Sequence, residues 1–123
     1  MPLRILVVDD NDTSRRIVRA MVRTHPKWSV CGEAENGTTG VQKFETLRPD
    51  VVVLDLSLPD ISGIEAARLM SSADPTVPVI LFTVLEIEGV MNAAKEAGIK
   101  AIVPKIDAWD LIPAIEAEVS RTH

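Results

Sequence analysis

Three short apolar runs without polar alternation constrain the fold of this chain most strongly. They are "ILVV" at Ile5–Val8, "VVVL" at Val51–Leu54 and "VILF" at Val79–Phe82. Unbroken β-branched runs of this length are typical of parallel strands that are covered on both faces. Two weaker runs, Trp28–Cys31 and Ala101–Val103, bring the predicted strands to five.

Helical apolar periodicity occupies the segments between and after these runs. It predicts helices over residues 13–24, 38–47, 63–71, 86–97 and 108–120. We take the apolar stripes of these helices to be core packing. Strand–helix alternation with right-handed crossovers predicts an α/β fold, in which helices cover both faces of an open, doubly wound parallel sheet. For five strands, the expected order is 2-1-3-4-5.

A few residues predict the faces and ends of the helices. The first helix is expected to bury Ile17, Ala20 and Met21. Gly98 is typical of the glycine that follows a helix C-terminus, and Asp107 is expected to cap the N-terminus of the last helix. Pro113 falls inside the last helical pattern, where a proline costs about 3 kcal/mol. That helix therefore either begins nearer Asp110 or is kinked.

The length and charge of the chain limit its function. We expect a single domain over residues 1–123, and a net charge of −5 without a lysine and arginine block argues against binding nucleic acid or an anionic membrane by this chain itself. No apolar run approaches membrane-spanning length, and no signal peptide is expected. The single cysteine, Cys31, is expected to be a buried thiol, which suits a cytoplasmic protein.

Polar residues follow four of the predicted strands. Asp9 and Asp10 follow the first strand, Asp55 the third, Thr83 the fourth, and Lys105 comes shortly after the fifth. Each residue alone is ordinary turn, cap or surface chemistry. Because parallel strands end at one edge of the sheet, these side chains are expected to meet there, which is where doubly wound folds bind ligands.

Three neighbouring carboxylates need a positive charge among them. Oxygen ligands in a partly hydrated site suit Mg²⁺, whereas zinc is disfavoured because His25 and His123 lie elsewhere in the chain. A cation, a lysine and a hydroxyl around one carboxylate form a site for phosphoryl transfer onto that carboxylate. The chain has no glycine-rich phosphate loop, so the phosphoryl group is expected to arrive on a donor.

Four segments carry a resemblance to a known family. "LVVDDND", "VVVLDLSLPDISG", "VILFT" and "AGIKAIVPK" resemble the receiver domain of bacterial two-component response regulators over roughly residues 3–120. The order and spacing of seven residues are specific to it: Asp9, Asp10, Asp55, Pro59, Gly63, Thr83 and Lys105. The resemblance implies a flavodoxin-like (β/α)5 fold of the chemotaxis-regulator type.

The resemblance also implies roles for these residues. Asp55 would be the phosphoacceptor, charged by a sensor histidine kinase or a phosphotransfer protein. Mg²⁺ would be bound by Asp10, Asp55 and the main-chain carbonyl of Ser57, with Asp9 acting mostly through water. Thr83 and Lys105 would contact the phosphoryl group and act in switching.

A second set of expectations concerns the output of the switch. The resemblance implies an output face over helix 4, strand 5 and helix 5, within residues 86–120, for an output domain, a protein partner or a homodimer. Ile87, Met91 and Trp109 are candidates for exposure on this face, although core packing of Trp109 is an equal alternative. Pro59 and Gly63 would shape the loop after Asp55.

The sequence departs from the family pattern at several positions. Val84 replaces a residue that is usually very small, which would narrow access to the site, and Ile102 replaces a usually aromatic switch residue. In the family, a proline usually follows the site lysine. Here Pro104 precedes Lys105, and Ile106 follows it. In this the chain resembles the receivers of LuxR-type DNA-binding regulators.

Two further positions bear on the lifetime of the phosphoryl group. Ser57 and Leu85 lie where the family tunes that lifetime, and neither offers a charged or amide group that could orient an attacking water. We therefore expect slow self-dephosphorylation.

Other function classes stay open. A receiver used as a constitutive interaction module is suggested by Val84 and Ile102, although the intact acidic cluster argues against it. A phosphatase of the dehalogenase type usually has a second acid two residues after its nucleophile, where this chain has Ser57. A flavin-binding module is disfavoured because the acidic loop after the first strand would repel a phosphate.

Overall fold

The computed structural model describes residues 2–84 and 88–122, with side chains described up to Arg121. Within this part of the chain, one parallel sheet has the order β2-β1-β3-β4-β5, as predicted. Its strands are β1 (Leu3–Val8), β2 (Trp28–Ala34), β3 (Val51–Leu54), β4 (Val79–Thr83) and β5 (Ile99–Pro104).

The helices cover both faces of this sheet. They are α1 (Asp12–Arg23), α2 (Gly37–Leu47), α3 (Gly63–Ala73), α4 (Met91–Glu96) and α5 (Leu111–Thr122), with a 3₁₀ helix over Lys105–Asp110 before the last one. One core joins α2, α3 and α4 to one face, and a second core joins α1 and α5 to the other. Successive residues of β3 alternate between these cores, so the run "VVVL" is buried throughout.

The buried face of α1 differs from the predicted one. Val18 and Val22 accompany Met21 in the core, whereas Ile17 and Ala20 are exposed. The prediction for Ile17 and Ala20 was therefore wrong by about one position around the helix. Apolar residues occur on both sides of α1, and the face that is buried is the one that also carries the paired side chain of Arg15, described below.

The described part of α4 is shorter than the predicted helix over residues 86–97. It begins at Met91 and ends at Glu96, residues 88–90 form a turn, and residues 85–87 lie outside the described part of the chain together with the predictions for Leu85 and Ile87. Among the described residues, no side chain caps its N-terminus at Val90. Gly98 has a φ of +90°, which confirms it as the residue that ends this helical segment.

The question about Pro113 is resolved by a later start of the last helix. Helix α5 begins at Leu111, so Pro113 is its third residue and its missing N–H belongs to the first turn, where no intrahelical partner exists. Asp107 is not an N-cap, because it lies inside the preceding 3₁₀ segment with non-helical angles. The alternative of a start near Asp110 is therefore confirmed.

Two smaller expectations can also be compared with the structure. Cys31 is half-buried on the edge strand β2 and packs against the core there, so it is less enclosed than predicted. Burial raises the pKa of its thiol above the ordinary value. Over residues 2–84 and 88–122, no helix combines the length and the apolar character needed to cross a membrane.

Candidate functional site

Two neighbouring strands deliver buried aspartates to the same edge of the sheet. Strands β1 and β3 pair in parallel with Val8 opposite Leu54, so Asp9 and Asp55 are the next residues of each strand. The main-chain N–H of Asp55 donates to the carbonyl of Val8 at 2.9 Å. Asp9 is only 3% exposed and Asp55 only 5%, which places both carboxylates in a region of low dielectric.

Asp10 completes an acidic cluster with these two residues. One carboxylate oxygen from each of Asp9, Asp10 and Asp55 can be chosen so that all three lie within 4.8 Å of one another. Oδ1 of Asp55 is buried and has no hydrogen-bond partner among the residues that the structure describes. A buried, unpartnered carboxylate oxygen is costly unless a cation or a hydrogen-bond donor reaches it. The oxygen-only donor set and the exposed Asp10 fit Mg²⁺, which keeps part of its water shell.

Lys105, the residue that follows the edge strand β5, supplies positive charge to this cluster. Its Nζ lies 2.8 Å from Oδ2 of Asp9 and 3.3 Å from Oδ2 of Asp55, and 5.9 Å from the centre of the Phe82 ring. Burial raises the pKa of Asp9 above its ordinary value, and the hydrogen bond from Lys105 opposes this shift. Lys105 thus contacts two of the three carboxyl groups of the cluster, Asp9 and Asp55, and its single positive charge does not balance three carboxylates.

The loop after Asp55 is fixed by a contact that sequence reasoning did not predict. Both carboxylate oxygens of Asp60 accept hydrogen bonds from the start of α2, one from the N–H of Gly37 at 2.8 Å and one from that of Thr38 at 2.9 Å. Hydrogen bonds hold the pKa of the Asp60 carboxyl well below its ordinary value. The hydrogen bond from the Thr38 side chain makes the largest contribution. Asp60 therefore ties the loop that contains Ser57 to a neighbouring helix.

Gly63 holds the other end of this loop against the end of β3. Its N–H donates to the carbonyl of Leu56 at 2.8 Å. A Cβ at this position would lie 2.2 Å from the carbonyl oxygen of Asp55 and 2.8 Å from Cα of Leu56. Both of these are main-chain atoms, so a side chain of any size would displace the backbone at Asp55.

We therefore expect Gly63→Ala to lower the free energy of unfolding by about 2 kcal/mol through overpacking and to weaken Mg²⁺ binding. Urea unfolding and a Mg²⁺ titration followed by NMR would measure the two effects. Gly89→Ala is the matched control, because a Cβ at Gly89 meets nothing within 4 Å. Equal stability and equal Mg²⁺ affinity in the two variants would contradict this account of the loop.

A second residue that was not predicted, Arg15, hydrogen-bonds to the peptide unit that joins Asp9 to Asp10. Its guanidinium is buried and donates to the carbonyl of Asp9 at 2.6 Å, to Glu33 at 3.2 Å and to Asp12 at 3.0 Å. A charged side chain on the buried face of an amphipathic helix is the signal that could have identified it. Its position, three residues before Val18 on the apolar stripe, is visible in the sequence.

The other predicted site residues lie on β4 and β5 or in the loops that follow β3 and β4. Thr83 ends β4 and is fully buried, and it is paired in the sheet with Pro104 of β5. Ser57 is exposed in the loop after Asp55. Val84 is 74% exposed, so most of its side chain lies in solvent. Ile102 is half-buried and packs against the core.

The predicted output face carries exposed apolar side chains. Met91 and Trp109 are both largely in solvent, with Trp109 65% exposed, so the alternative that Trp109 packs in the core is wrong. Ile106, next to the site lysine, is 91% exposed.

Comparison with known protein families matches residues 5–116 to the family described as the response regulator receiver domain. Among solved structures, the chain is similar to a LuxR-family two-component response regulator from Aurantimonas sp. SI85-9A1, with a TM-score of 0.92 and 32% identity over 98% of this chain and 86% of that one. It is also similar to the response regulator domain of CheB from Thermotoga maritima, with a TM-score of 0.85 and 27% identity over 99% and 96% of the two chains.

A curated relative is protein-glutamate methylesterase/protein-glutamine glutaminase 1 of Methanosarcina mazei. It is 34% identical over 119 residues, which are 95% of this chain and 33% of that protein. The corresponding protein of Alkalilimnicola ehrlichii is 39% identical over 85% of this chain and 27% of its own length. The chain thus spans about a third or less of the length of these relatives.

Proposed function

This chain belongs to the response regulator receiver domain family, and we propose that Asp55 is the phosphoacceptor through which it switches in a two-component system. Phosphorylation of an aspartate and dependence on Mg²⁺ are general features of this family. The observation that carries the assignment is the buried carboxylate of Asp55, with Oδ1 unpartnered among the described residues and Oδ2 next to Lys105.

The proposed reaction uses Asp55 as a nucleophile. A carboxylate oxygen of Asp55 attacks the phosphorus of a phosphohistidine on a sensor kinase or phosphotransfer protein. The P–N bond breaks, the imidazole leaves with the bonding electron pair, and an acyl phosphate forms on Asp55. Lys105 neutralises negative charge on the transferred group, and Thr83 donates a hydrogen bond to a phosphoryl oxygen.

The acidic cluster is proposed to hold the metal that this reaction requires. Asp10, Asp55 and the main-chain carbonyl of Ser57 would bind Mg²⁺, with Asp9 acting mostly through water. The bound ion supplies positive charge to the phosphoryl oxygens. Arg15 and Asp60 keep the two loops that carry these ligands in place.

We propose that the switch acts through Thr83, the last residue of β4. A movement of Thr83 toward the phosphoryl group would pass to β5, because Thr83 pairs with Pro104, and would shift Ile102. The output face over α4, β5 and α5 would then present Met91 and Trp109 to an output domain, a protein partner or a second copy of the chain.

We also propose that residues 1–123 form one receiver domain of a cytoplasmic protein and that this domain binds neither nucleic acid nor membranes by itself. The single sheet, the net charge of −5 and the free Cys31 support it. The only chemistry proposed for this chain is its own phosphorylation and dephosphorylation. The methylesterase activity in the names of its longer relatives is a property of those proteins.

Incubation with acetyl phosphate, with and without Mg²⁺, tests the proposal. We expect the intact mass to increase by one phosphoryl group only when Mg²⁺ is present. Mg²⁺ alone should shift the NMR signals of Asp9, Asp10 and Asp55. No mass gain in the presence of Mg²⁺ would contradict the proposal. If Mg²⁺ also causes no NMR shift, the result would favour a constitutive interaction module, as Val84 and Ile102 suggest.

The lifetime of the phosphoryl group is a separate prediction. Ser57 offers no charged or amide group for an attacking water, so we expect slow self-dephosphorylation after removal of acetyl phosphate. Intact mass followed over time, with a chemotaxis-type receiver measured in parallel, provides the test. A decay as fast as that of the chemotaxis-type receiver would contradict the prediction.

A further inference from the structure

Lys105 has a third partner that belongs to a different part of the fold. Its Nζ lies 3.0 Å from Oγ of Ser14, a residue in the first turn of α1 and 91 positions away in the chain. An ammonium group can only donate hydrogen bonds, so the Ser14 oxygen accepts. Among the described residues, the three N–H groups of Lys105 have three oxygen partners, on Asp9, Asp55 and Ser14.

These contacts form part of a closed circuit of hydrogen bonds. Oδ1 of Asp9 accepts from the N–H of Asn11 at 2.9 Å, and Oδ1 of Asn11 accepts from the N–H of Ser14 at 2.9 Å. Oγ of Ser14 accepts from Lys105, and the ion pair between Lys105 and Oδ2 of Asp9 at 2.8 Å closes the circuit. The N-cap of α1 therefore sets the position of the hydroxyl that contacts the lysine.

We propose that Ser14 is a positioning residue that fixes the ammonium group of Lys105 for phosphoryl transfer, an inference that rests on the proposed function of Asp55. The contact from Nζ to Asp55 is the longest of the three at 3.3 Å. That N–H is the one that turns to an oxygen of the incoming phosphoryl group. Ser14 and Asp9 keep the nitrogen in place meanwhile, so the lysine does not have to be reoriented in the transition state.

The two roles of Ser14 can be separated because they use different atoms. The helix cap uses its main-chain N–H, whereas the lysine contact uses its side-chain hydroxyl. Ser14→Ala keeps the N–H and removes the hydroxyl, and Ser14→Thr keeps both. Thr13→Ala is the matched control, since it removes a hydroxyl from an exposed residue in the same helical turn.

The test measures the position of Lys105 and the phosphorylation rate in the same variants. The ¹³Cε–¹Hε NMR signal of Lys105, assigned with Lys105→Arg, reports its environment at one fixed pH without phosphodonor. In Ser14→Ala we expect it to move toward the position of exposed lysines. We expect the initial rate with acetyl phosphate and Mg²⁺ to fall about three- to tenfold, which corresponds to the net free energy of one ordinary hydrogen bond. Ser14→Thr and Thr13→Ala should resemble the wild type in both measurements.

The outcomes distinguish this inference from the proposed function. An unmoved Lys105 signal in Ser14→Ala overturns the positioning role whatever the rate does, and so does a moved signal with an unchanged or higher rate. If the wild type gains no phosphoryl group, the function proposed for Asp55 fails. A positioning role for phosphoryl transfer is then overturned with it, while the Lys105 signal still shows whether Ser14 orders the lysine.

Discussion

Replacement of Asp55 by asparagine is expected to abolish the Mg²⁺-dependent gain of a phosphoryl group. Asparagine has nearly the same shape, but its neutral amide is not a nucleophile toward phosphorus and offers one oxygen instead of two. In the structure the two oxygens of Asp55 have different surroundings, since Oδ2 is near Lys105 and Oδ1 has no partner among the described residues. The substitution therefore removes the attacking group without opening a cavity.

The measurement is the intact mass after incubation with acetyl phosphate and Mg²⁺. Asp110→Asn provides the control, because it makes the same chemical change at an exposed residue before α5 and should be phosphorylated like the wild type. A phosphoryl group on Asp55→Asn would show that Asp9, Asp10 or another residue accepts it. That result would contradict the assignment of the nucleophile but not the membership of the family.

The strands and their order could be predicted because the burial of each strand is visible in its own short stretch of sequence. A run such as "VVVL" is apolar throughout because both faces of β3 are covered, and short right-handed connections then leave few possible strand orders. The acidic cluster followed from the same argument, since neighbouring parallel strands end together and place Asp9 beside Asp55.

The details that sequence reasoning missed depend on partners that are distant in the chain. Ile17 and Val18 are equally apolar, and the buried face of α1 is the one on which Arg15 reaches Glu33 of β2. No local pattern shows that Ser14 meets Lys105, because that contact exists only after β5 has joined the sheet. The sequence around Asp60 is that of an ordinary loop, and only the folded structure shows its hydrogen bond to the start of α2.

Replacement of Lys105 by alanine is expected to lower the free energy of unfolding by about 3 kcal/mol near neutral pH without Mg²⁺, because it leaves buried carboxylates without their positive partner. The side chains of Asp9 and Asp55 are 4% and 6% exposed, and that of Lys105 only 14%, so solvent compensates little. Mg²⁺ should restore part of the loss, since an ion that binds only the folded state stabilises it and brings positive charge to the same oxygens.

The pH dependence of this loss gives a second test of the same cause. Burial already raises the pKa of Asp9 above its ordinary value, and removal of the lysine should raise it further. A carboxyl group whose pKa is higher in the folded than in the unfolded state destabilises the fold at high pH, and this cost disappears as the pH falls and the group binds a proton.

The difference in unfolding free energy between Lys105→Ala and the wild type should therefore shrink from about pH 7 to about pH 4. Urea unfolding at several pH values, with and without Mg²⁺, measures both effects. Lys100→Ala, at an exposed position of β5, should show neither. A loss of stability in Lys105→Ala that is independent of both pH and Mg²⁺ would mean that the lysine acts through packing, for example against Phe82, and not by balancing the charge of the aspartates.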